Sequence, residues 1–235
     1  MSYPVAVILC YITQRMQFPG GEADRRRALL ERTAQAAKAD IDFIQLREKD
    51  LAAGALERLA REMQGIVRNE SSHTRLLINS RIDVALAAGA DGVHLTSNDI
   101  NPAEARSIVA RAEKAPSRQF LISVACHSAH DVRLAEAHGA DYAVLAPIFG
   151  KQIPNAPALP GIGLAALREA SQIEHPRDMR VEAGDRRSSL PVLALGGINT
   201  ENARDCRLAG AAGIAGIRIF QEGDLAETVA KLRRI

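Results

Sequence analysis

"RLLINSRIDVALAAGADGVHL", residues 75–95, contains the unit from which the fold is predicted. The apolar runs at 75–79 and 91–95 have the composition of buried strands, and the alanine-rich stretch between them has helical spacing. Gly89 follows the last helical residue, a position at which glycine commonly ends a helix. The stretch is therefore predicted to be a strand–helix–strand unit, which pairs its two strands in parallel.

The same unit recurs along the whole chain. "LAAGADGVHL", "AEAHGADYAVL" and "RLAGAAGIAGI" each consist of a helix end, a glycine, small residues and a strand. Apolar strands that alternate with helices indicate a parallel sheet covered on both faces. Eight of them favour a single-domain (β/α)8 barrel, a TIM barrel spanning 1–235, over an open doubly wound sheet. The predicted strands are 5–12, 41–47, 75–79, 91–95, 120–126, 141–147, 191–196 and 213–220.

Composition limits the classes of partner. The chain has 30 basic and 28 acidic residues among 235, a balance that favours neither nucleic acid nor an anionic membrane surface as a partner. The first apolar run follows no basic segment and is expected to be a strand, and no stretch has the roughly 20 apolar residues of a membrane span. Three cysteines, odd in number and placed in apolar stretches, indicate reduced thiols and a cytoplasmic location.

Catalytic and binding residues of such barrels lie at the carboxyl ends of the strands and in the loops that follow. The polar residues and glycines found at those positions are Gln45, Arg47 and Lys49 after strand two, Asn79, Ser80 and Arg81 after strand three, His94 and Asp99 around strand four, His127 after strand five, Gly196 and Gly197 after strand seven, and Arg218 at the end of strand eight.

The pair Gly196 and Gly197 indicates an anion site. Two glycines before a predicted helix, capped by Asn199 or Thr200, would expose backbone N–H groups beside a positive helix end. Arg218 could bind a phosphate through two parallel hydrogen bonds. A tight turn that needs positive φ is the alternative for the glycines. We therefore expect a phosphorylated ligand.

The polar groups after strands two and three have two interpretations each. Gln45, Arg47 and Lys49 alternate along a strand end, so all three would point towards the barrel axis, although a solvated rim would have the same composition. Asn79 and Ser80 could bind a ligand or cap the next helix. Arg81 could pair with a substrate anion or with Asp83, while His94 is expected to be a hydrogen-bonded structural histidine. The histidines have no metal-ligand spacing, so no metal site is predicted from them.

Five segments together resemble one known superfamily in order and spacing, over nearly the whole chain. They are "FIQLREKD", "LINSRIDVALAAGADGVHLTSND", "HGADYAVLAPIF", "GIGLAALREA" and "LPVLALGGINTENARDCRLAGAAGIAGI", and they resemble the thiamin phosphate synthase and TenI superfamily. The resemblance implies a barrel that binds the thiazole phosphate half of thiamin, with Gly163 among its substrate-binding residues. It also implies one of two activities. The synthase branch joins that half to a pyrimidine pyrophosphate with magnesium, and the TenI branch includes a thiazole tautomerase that uses no metal.

The chain departs from the synthase pattern at three places. Synthases resemble one another in an Asn-Asp pair after strand three, and here Ser80 stands in place of the acid, while the second magnesium-binding acid is retained as Asp99. The strand-five serine of synthases aligns with Ala125. The loop "FGKQIPNAPALPG" has Lys151 displaced from its place in the T-x-T-K pattern, and Pro154 lies near where that lysine should fall.

The active-site loops are more similar to the TenI pattern. "NSRID" and "SVACHS" resemble its Asn-Gly-Arg and Ser-Val-His-Ser motifs, with Ala125 and Cys126 as additional residues before the histidine. By this resemblance His127 would move the proton during aromatisation of the thiazole, a task suited to a group that titrates near neutral pH. A capping or surface histidine is the alternative.

These observations predict a TenI-like tautomerase without a cofactor, in which Arg47, Lys49 and Arg81 hold anionic groups. One alternative is a divergent thiamin phosphate synthase, with Asp99 and substrate oxygens holding Mg. Another is a non-catalytic regulator that binds a phosphorylated thiazole or thiamin ligand. Residues 171–190, rich in charge and without a family counterpart, are expected to be a mobile insertion and a candidate contact between copies in a homo-oligomer.

Overall fold

The structure, a computed structural model, is a closed barrel of eight parallel strands in the order β1 to β8. It describes residues 6–112, 119–150, 160–171 and 190–235. The predicted (β/α)8 fold is confirmed. The strands are β1 Ile8–Ile12, β2 Phe43–Leu46, β3 Arg75–Asn79, β4 Gly92–Leu95, β5 Leu121–Cys126, β6 Tyr142–Leu145, β7 Val192–Ala194 and β8 Gly213–Gly216. The helices of the described residues are α1 Glu22–Lys38, α2 Ala53–Glu70, α3 Ile82–Ala88, α4 Pro102–Ala110, α5 Ala129–Ala137, α6 Gly163–Ser171, α7 Ala203–Leu208, α8 Arg218–Gln221 and α9 Leu225–Leu232, with a 3-10 turn at Arg15–Gln17 before α1.

Strand β8 is shorter than the sequence predicts. It ends at Gly216, and Arg218–Gln221 form the short helix α8, so the assignment of 213–220 to one strand is wrong in its second half. A Cβ on Gly216 would lie 2.3 Å from Ile219 Cγ2, because α8 folds back directly onto the strand end. The apolar residues after Gly216 are explained by this return, since Phe220 is fully buried in the core.

The lower part of the barrel interior is filled with side chains. The Phe43 and Tyr142 rings stack across it with centroids 4.7 Å apart. Smaller side chains from other strands, among them Cys10, Leu77 and Leu193, pack in the same interior cluster. Because this end is closed, a ligand can enter only from the carboxyl ends of the strands, as is usual for this fold.

Three aspartates connect neighbouring strands at the amino end of the barrel. Each lies directly before an even-numbered strand, and its Oδ2 accepts the backbone N–H of a residue at the start of the preceding odd-numbered strand. Each also forms an ion pair with an arginine. The bonds are Leu9 N to Asp42 at 2.7 Å, Leu76 N to Asp91 at 3.0 Å and Ile122 N to Asp141 at 2.6 Å, and the arginines are Arg233, Arg75 and Arg106 in the same order.

The fourth repeat lacks this connection. Ala212 occupies the place before β8 that an aspartate has before β2, β4 and β6. Its backbone is arranged as in the other repeats, since Ala212 N donates to Val192 O just as Asp91 N donates to Leu76 O. The "GAD" and "GAA" phrases of the sequence are therefore one structural repeat with a single side-chain difference.

The described residues bear on the predictions about membrane-spanning segments and about the cysteines. No helix among them is long and apolar enough to cross a membrane. Cys10, Cys126 and Cys206 are all free thiols and all buried. Burial raises the pKa of the Cys10 and Cys126 thiols to about 12, so both are protonated at neutral pH.

Of the predicted insertion 171–190, residues 172–189 lie outside the described residues.

Candidate functional site

Residues that follow β2 alternate between two sides of the chain. Gln45, near the end of the strand, is buried, Arg47 is half-buried and Lys49 is exposed in the turn that follows, and that all three point towards the barrel axis stays a prediction. The side chains of Arg47 and Lys49 have no hydrogen bond or ion pair with any residue that the structure describes. Two cations at the mouth are therefore available to an anionic ligand.

The intervening acids are held on the other side by Arg15. Glu48, whose side chain is 1% exposed, accepts hydrogen bonds from Thr13 Oγ1 at 2.7 Å and from the Arg15 backbone N–H at 3.0 Å. The Arg15 guanidinium binds Glu48 at 3.1 Å and Asp50 at 2.6 Å. This network fixes the backbone between Arg47 and Lys49. The network could not be predicted from the sequence, because Arg15 and Glu48 are far apart in the chain and neither has a distinctive local pattern.

A hydrogen-bonded chain crosses from β2 to β3. Gln45 Nε2 donates to Asn79 Oδ1 at 2.9 Å, and Asn79 Nδ2 donates to Ser80 Oγ at 3.0 Å. Gln45 Oε1 is buried without a partner among the described residues. Asn79 and Ser80 do not cap α3, because the N-cap is Arg81 and no side chain bonds that helix end. The capping interpretation is therefore wrong, and the binding interpretation stays a prediction.

Arg81 pairs within its own loop. Its guanidinium binds Asp83 through Nε at 2.8 Å and Nη2 at 2.5 Å, which is the second of the two partners expected from the sequence. Arg81 holds the pKa of the Asp83 carboxyl below its usual value. The side chain of Arg81 is 40% exposed, so a ligand would have to compete with Asp83 for it.

His94 faces the barrel interior and is neutral. Its Nδ1 lies 2.9 Å from Ser123 Oγ, and Ser123 also hydrogen-bonds the Tyr142 side chain. The pKa of His94 is lowered to about 4, mainly by burial, with Asp99 opposing the shift and Arg47 contributing to it. The predicted structural hydrogen bond is present, but Ser123 and Tyr142, its partners, were not singled out from the sequence.

Asp99 is the carboxylate at the mouth that could hold a metal. Its Oδ2 accepts hydrogen bonds from Thr96 N at 2.6 Å and Thr96 Oγ1 at 2.9 Å. Ser80, which stands in place of the first acid of the synthase pattern, is neutral. Across 6–112, 119–150, 160–171 and 190–235, no three His, Cys, Asp or Glu residues are grouped closely enough to hold a metal. A metal here would need most of its ligands from water and substrate.

His127 lies at the mouth immediately after β5. The ring is exposed, and its Nδ1 is 2.8 Å from the carbonyl oxygen of Ala146, at the end of β6. Because a carbonyl only accepts, Nδ1 carries the proton and the neutral ring has its lone pair on Nε2. The His127 backbone N–H donates to Asp131 Oδ2 at 2.9 Å. Ser128, not His127, caps α5.

Gly196 and Gly197 have both positive φ and close neighbours. Their φ values are 102° and 65°, and a Cβ on them would lie 2.8 Å from Pro147 Cα and 2.7 Å from Phe149 Cβ, respectively. The loop after β6 therefore packs against the glycines, which explains the pair structurally. Their N–H groups donate to no described acceptor, so the anion site stays open as a prediction.

Two other parts of the predicted phosphate site differ from expectation. Helix α7 begins at Ala203 with Asn202 as its N-cap, and Asn199 instead accepts the N–H groups of Glu201 and Asn202 in a turn, so neither Asn199 nor Thr200 caps it. Arg218 is the first residue of α8 instead of the last of a strand.

The remaining predicted positions flank the mouth. The exposed Arg218 side chain has no partner among the described residues. Gly163 opens α6 with φ 82°, and its N–H donates to Ile148 O at 3.0 Å. Ala125 is half-buried on β5. Lys151 and Pro154 lie outside the described residues.

Fold and site define a (β/α)8 barrel with polar side chains at the carboxyl ends of its strands and, among the described residues, cations without a partner there. A family model described as thiamine monophosphate synthase (TMP-TENI) matches residues 12–220. The chain belongs to that family.

Curated relatives of the chain are named as thiamine-phosphate synthases. One is a "Putative thiamine-phosphate synthase 2" of Aquifex aeolicus, 36% identical over 193 residues, covering 82% of this chain and 90% of the relative. Another is a "Thiamine-phosphate synthase" of Methanoculleus marisnigri, 38% identical over 205 residues, covering 87% and 85%. Among solved structures, "Thiamine phosphate pyrophosphorylase from Pyrococcus furiosus" superposes with a TM-score of 0.73 at 25% identity, covering 97% of this chain and 94% of that one.

Proposed function

We propose that this protein is a thiamine-phosphate synthase that joins an aminopyrimidine carrying a pyrophosphate to thiazole phosphate. One observation of the site supports the proposal most strongly. Arg47 and Lys49 are unpaired among the described residues, while the acids beside them are bound to Arg15. A pair of fixed cations at the mouth matches a pyrophosphate leaving group better than a single carboxylate. The relatives named thiamine-phosphate synthase agree with this choice over the tautomerase expected from the loops.

The chemistry is a displacement at the methylene carbon that links pyrimidine and pyrophosphate. The thiazole nitrogen forms a C–N bond to that carbon, the C–O bond breaks, and pyrophosphate leaves with the electron pair. Arg47 and Lys49 neutralise the charge that develops on the leaving oxygen. The N–H groups of Gly196 and Gly197, with Arg218, would hold the thiazole phosphate.

Magnesium, which the resemblance assigns to the synthase branch, fits this mouth only with help from the substrate. Asp99 is the carboxylate that the resemblance offers for the ion, and one of its oxygens is already bonded to Thr96. Asp99 and pyrophosphate oxygens would together hold the ion, which would neutralise charge on the leaving group. The metal is therefore expected to bind weakly until the pyrimidine pyrophosphate is in place.

One observation favours tautomerisation as a second candidate. Because His127 Nδ1 is bonded to the Ala146 carbonyl, the Nε2 lone pair of the exposed ring can accept a proton at the mouth. In this reaction His127 would take a proton from one ring position of the thiazole carboxylate and return it to another.

A two-substrate assay separates the candidates. Purified protein with both substrates and magnesium is expected to release thiamine phosphate and pyrophosphate in equal amounts. Arg47→Gln should slow this reaction about 100-fold. His127→Asn should change it less than about threefold, because the Asn side chain can keep the local bond to Ala146. Arg61→Gln, which removes an exposed ion pair with Glu57 on α2, is the matched control for Arg47.

The opposite pattern would overturn the proposal. Absence of thiamine phosphate with all components present, together with His127-dependent isomerisation of thiazole carboxylate phosphate, would assign the tautomerase instead.

A further inference from the structure

Helix α8 is attached to the end of β1 through its last residue. The Gln221 side chain is buried, its Oε1 accepts hydrogen bonds from Tyr11 Oη and from Gln14 N, both at 3.2 Å, and its Nε2 donates to Gln14 O at 2.9 Å. Because Gln14 offers both an N–H and a carbonyl, only one orientation of the amide satisfies the two groups. Arg218 is the first residue of the same helix, so the bonds of Gln221 also hold the backbone that carries this exposed cation.

The residues on either side of Gln14 contact the loop after β2. Arg15 N donates to both carboxylate oxygens of Glu48 at 3.0 Å. Thr13 Oγ1 donates to the same carboxylate at 2.7 Å and accepts the N–H of Arg47 at 3.0 Å. The three-residue segment around Gln14 therefore connects α8 on one side with the backbone of Arg47 on the other.

This connection lies where the strand pairing of the barrel ends. The register pairs β1 with β8 as far as Tyr11 and with β2 as far as Ile12. Past these pairs, the side chains of Thr13, Glu48 and Gln221 form the hydrogen bonds between the segments, and all three are buried. A buried polar network whose groups satisfy one another holds its members in one arrangement. The network therefore fixes α8 relative to the loop after β2.

We propose that Gln221 is a positioning residue for the condensation, which holds Arg218 and Arg47 at the separation that brings the two substrates together. This inference rests on the proposed function, which assigns the thiazole phosphate to Arg218 and the pyrophosphate to Arg47. Each cation fixes the anionic end of one substrate, so their separation sets the distance between the thiazole nitrogen and the methylene carbon. A misplacement of about 1 Å can slow a reaction about 100-fold although both substrates stay bound.

The test uses Gln221→Met, which has a side chain of similar length and cannot form the three hydrogen bonds of the amide. Release of pyrophosphate in the presence of magnesium gives kcat with both substrates saturating, and KM for each substrate. Asp141→Ala, which removes a hydrogen bond to Ile122 N at the amino end of the barrel, is the control for loss of stability. The same Gln221 substitution in Arg47→Gln protein shows whether Gln221 acts through Arg47.

Gln221→Met should lower kcat about tenfold while both KM values stay within about threefold. Asp141→Ala should leave kcat within about twofold of wild type, although it also lowers Tm, because it lies far from the mouth. In the Arg47→Gln background Gln221→Met should lower kcat less than about threefold further, since the cation that it positions is already absent.

An unchanged kcat in Gln221→Met overturns the inference alone. So does a tenfold loss of equal size in both backgrounds, because that would be a general effect on the fold. If Gln221→Met does not fold, Gln221→Asn, which keeps an amide on a shorter side chain, is measured in both backgrounds, with an expected loss of about threefold or more in the wild-type background only. Absence of any condensation in the wild-type protein overturns the proposed function and the inference together.

Discussion

Ser80 is the residue at which this chain departs most clearly from a metal-binding mouth. It has φ 61°, receives a hydrogen bond from Asn79 and lies next to the open pocket. Aspartate and asparagine adopt this left-handed backbone conformation more readily than serine. The position can therefore take an acid without a backbone penalty.

Ser80→Asp should lower the magnesium concentration needed for half-maximal condensation by about tenfold, because a second carboxylate then faces the site with Asp99. Calorimetry of magnesium binding in the presence of pyrophosphate measures the same change without turnover. Ser80→Asn, equal in size and backbone preference but uncharged, is the control and should leave both values near wild type. Equal effects of the two variants would contradict the role of charge.

His94 should make stability depend on pH. In the unfolded chain an imidazole binds a proton near its ordinary pKa of 6.5, whereas burial holds the pKa of folded His94 at about 4. Between these values the unfolded state binds more protons, so stability is full above pH 6.5 and is lost as pH falls towards 4. From pH 7.5 to 4.5 the wild-type protein should lose about 2–3 kcal/mol from this residue.

Urea unfolding of the wild-type protein and His94→Asn at the two pH values measures this contribution. The variant should lack that part of the loss, since it has no titrating group at position 94. An equal loss in both proteins would show that other groups cause the acid instability.

Single residues of the site were predictable where strand alternation governs them. Gln45 is on β2, where every second residue faces the same way, whereas Arg47 and Lys49 follow the strand, so the direction of their side chains stays a prediction. The partner of Arg15 was not predictable, since a buried ion pair between β1 and β2 depends on which strands become neighbours. The helix caps at Asn79 and Asn199 were wrongly predicted because the local sequence does not show in which turn the helix begins.

At the scale of elements, the aspartates before β2, β4 and β6 are the repeated feature. Each carboxylate satisfies a backbone N–H at the start of the neighbouring strand, a group that would otherwise lack a partner at the end of the ladder. The sequence showed the repeat of glycine and small residues, but the function of the aspartate needed the register of the strands.

Ala212→Asp should raise the free energy of unfolding by about 1 kcal/mol, because the new carboxylate can accept the Val192 N–H as the other three aspartates accept theirs. Asp141→Ala, the reverse change in an intact repeat, should lower it by about 1–3 kcal/mol. Chemical unfolding of both variants beside the wild-type protein gives the two values. A destabilising Ala212→Asp would mean that the fourth repeat cannot accommodate the carboxylate.

The boundary between β8 and α8 could not be predicted from the hydrophobic pattern of the sequence. The apolar run of β8 continues into α8, where Phe220 is buried like the strand, so periodicity alone does not separate the two elements. Gly216, where a side chain would collide with Ile219, is the physical boundary.

At the level of the whole molecule, the barrel was predictable because eight apolar runs alternate with helices. Strand–helix–strand connections between parallel strands are almost always right-handed, and eight such units form a closed barrel. The sequence was a weaker guide to the choice between the tautomerase and the synthase. Loop motifs favoured the tautomerase, whereas the unpaired cations and the named relatives favour the synthase. The same fold hosts both reactions, so the distinction depends on which anion the mouth binds.

Binding calorimetry can distinguish the synthase from the tautomerase by the anions that bind at the mouth. Thiazole phosphate, its carboxylate and thiamine phosphate are titrated into the protein with and without magnesium and pyrophosphate. We expect thiazole phosphate to bind at least about tenfold more tightly when magnesium and pyrophosphate are both present, since the pyrophosphate would occupy Arg47 and Lys49 and bring metal ligands with it. Tight binding of the carboxylate that is indifferent to magnesium and pyrophosphate would contradict the synthase and support the tautomerase.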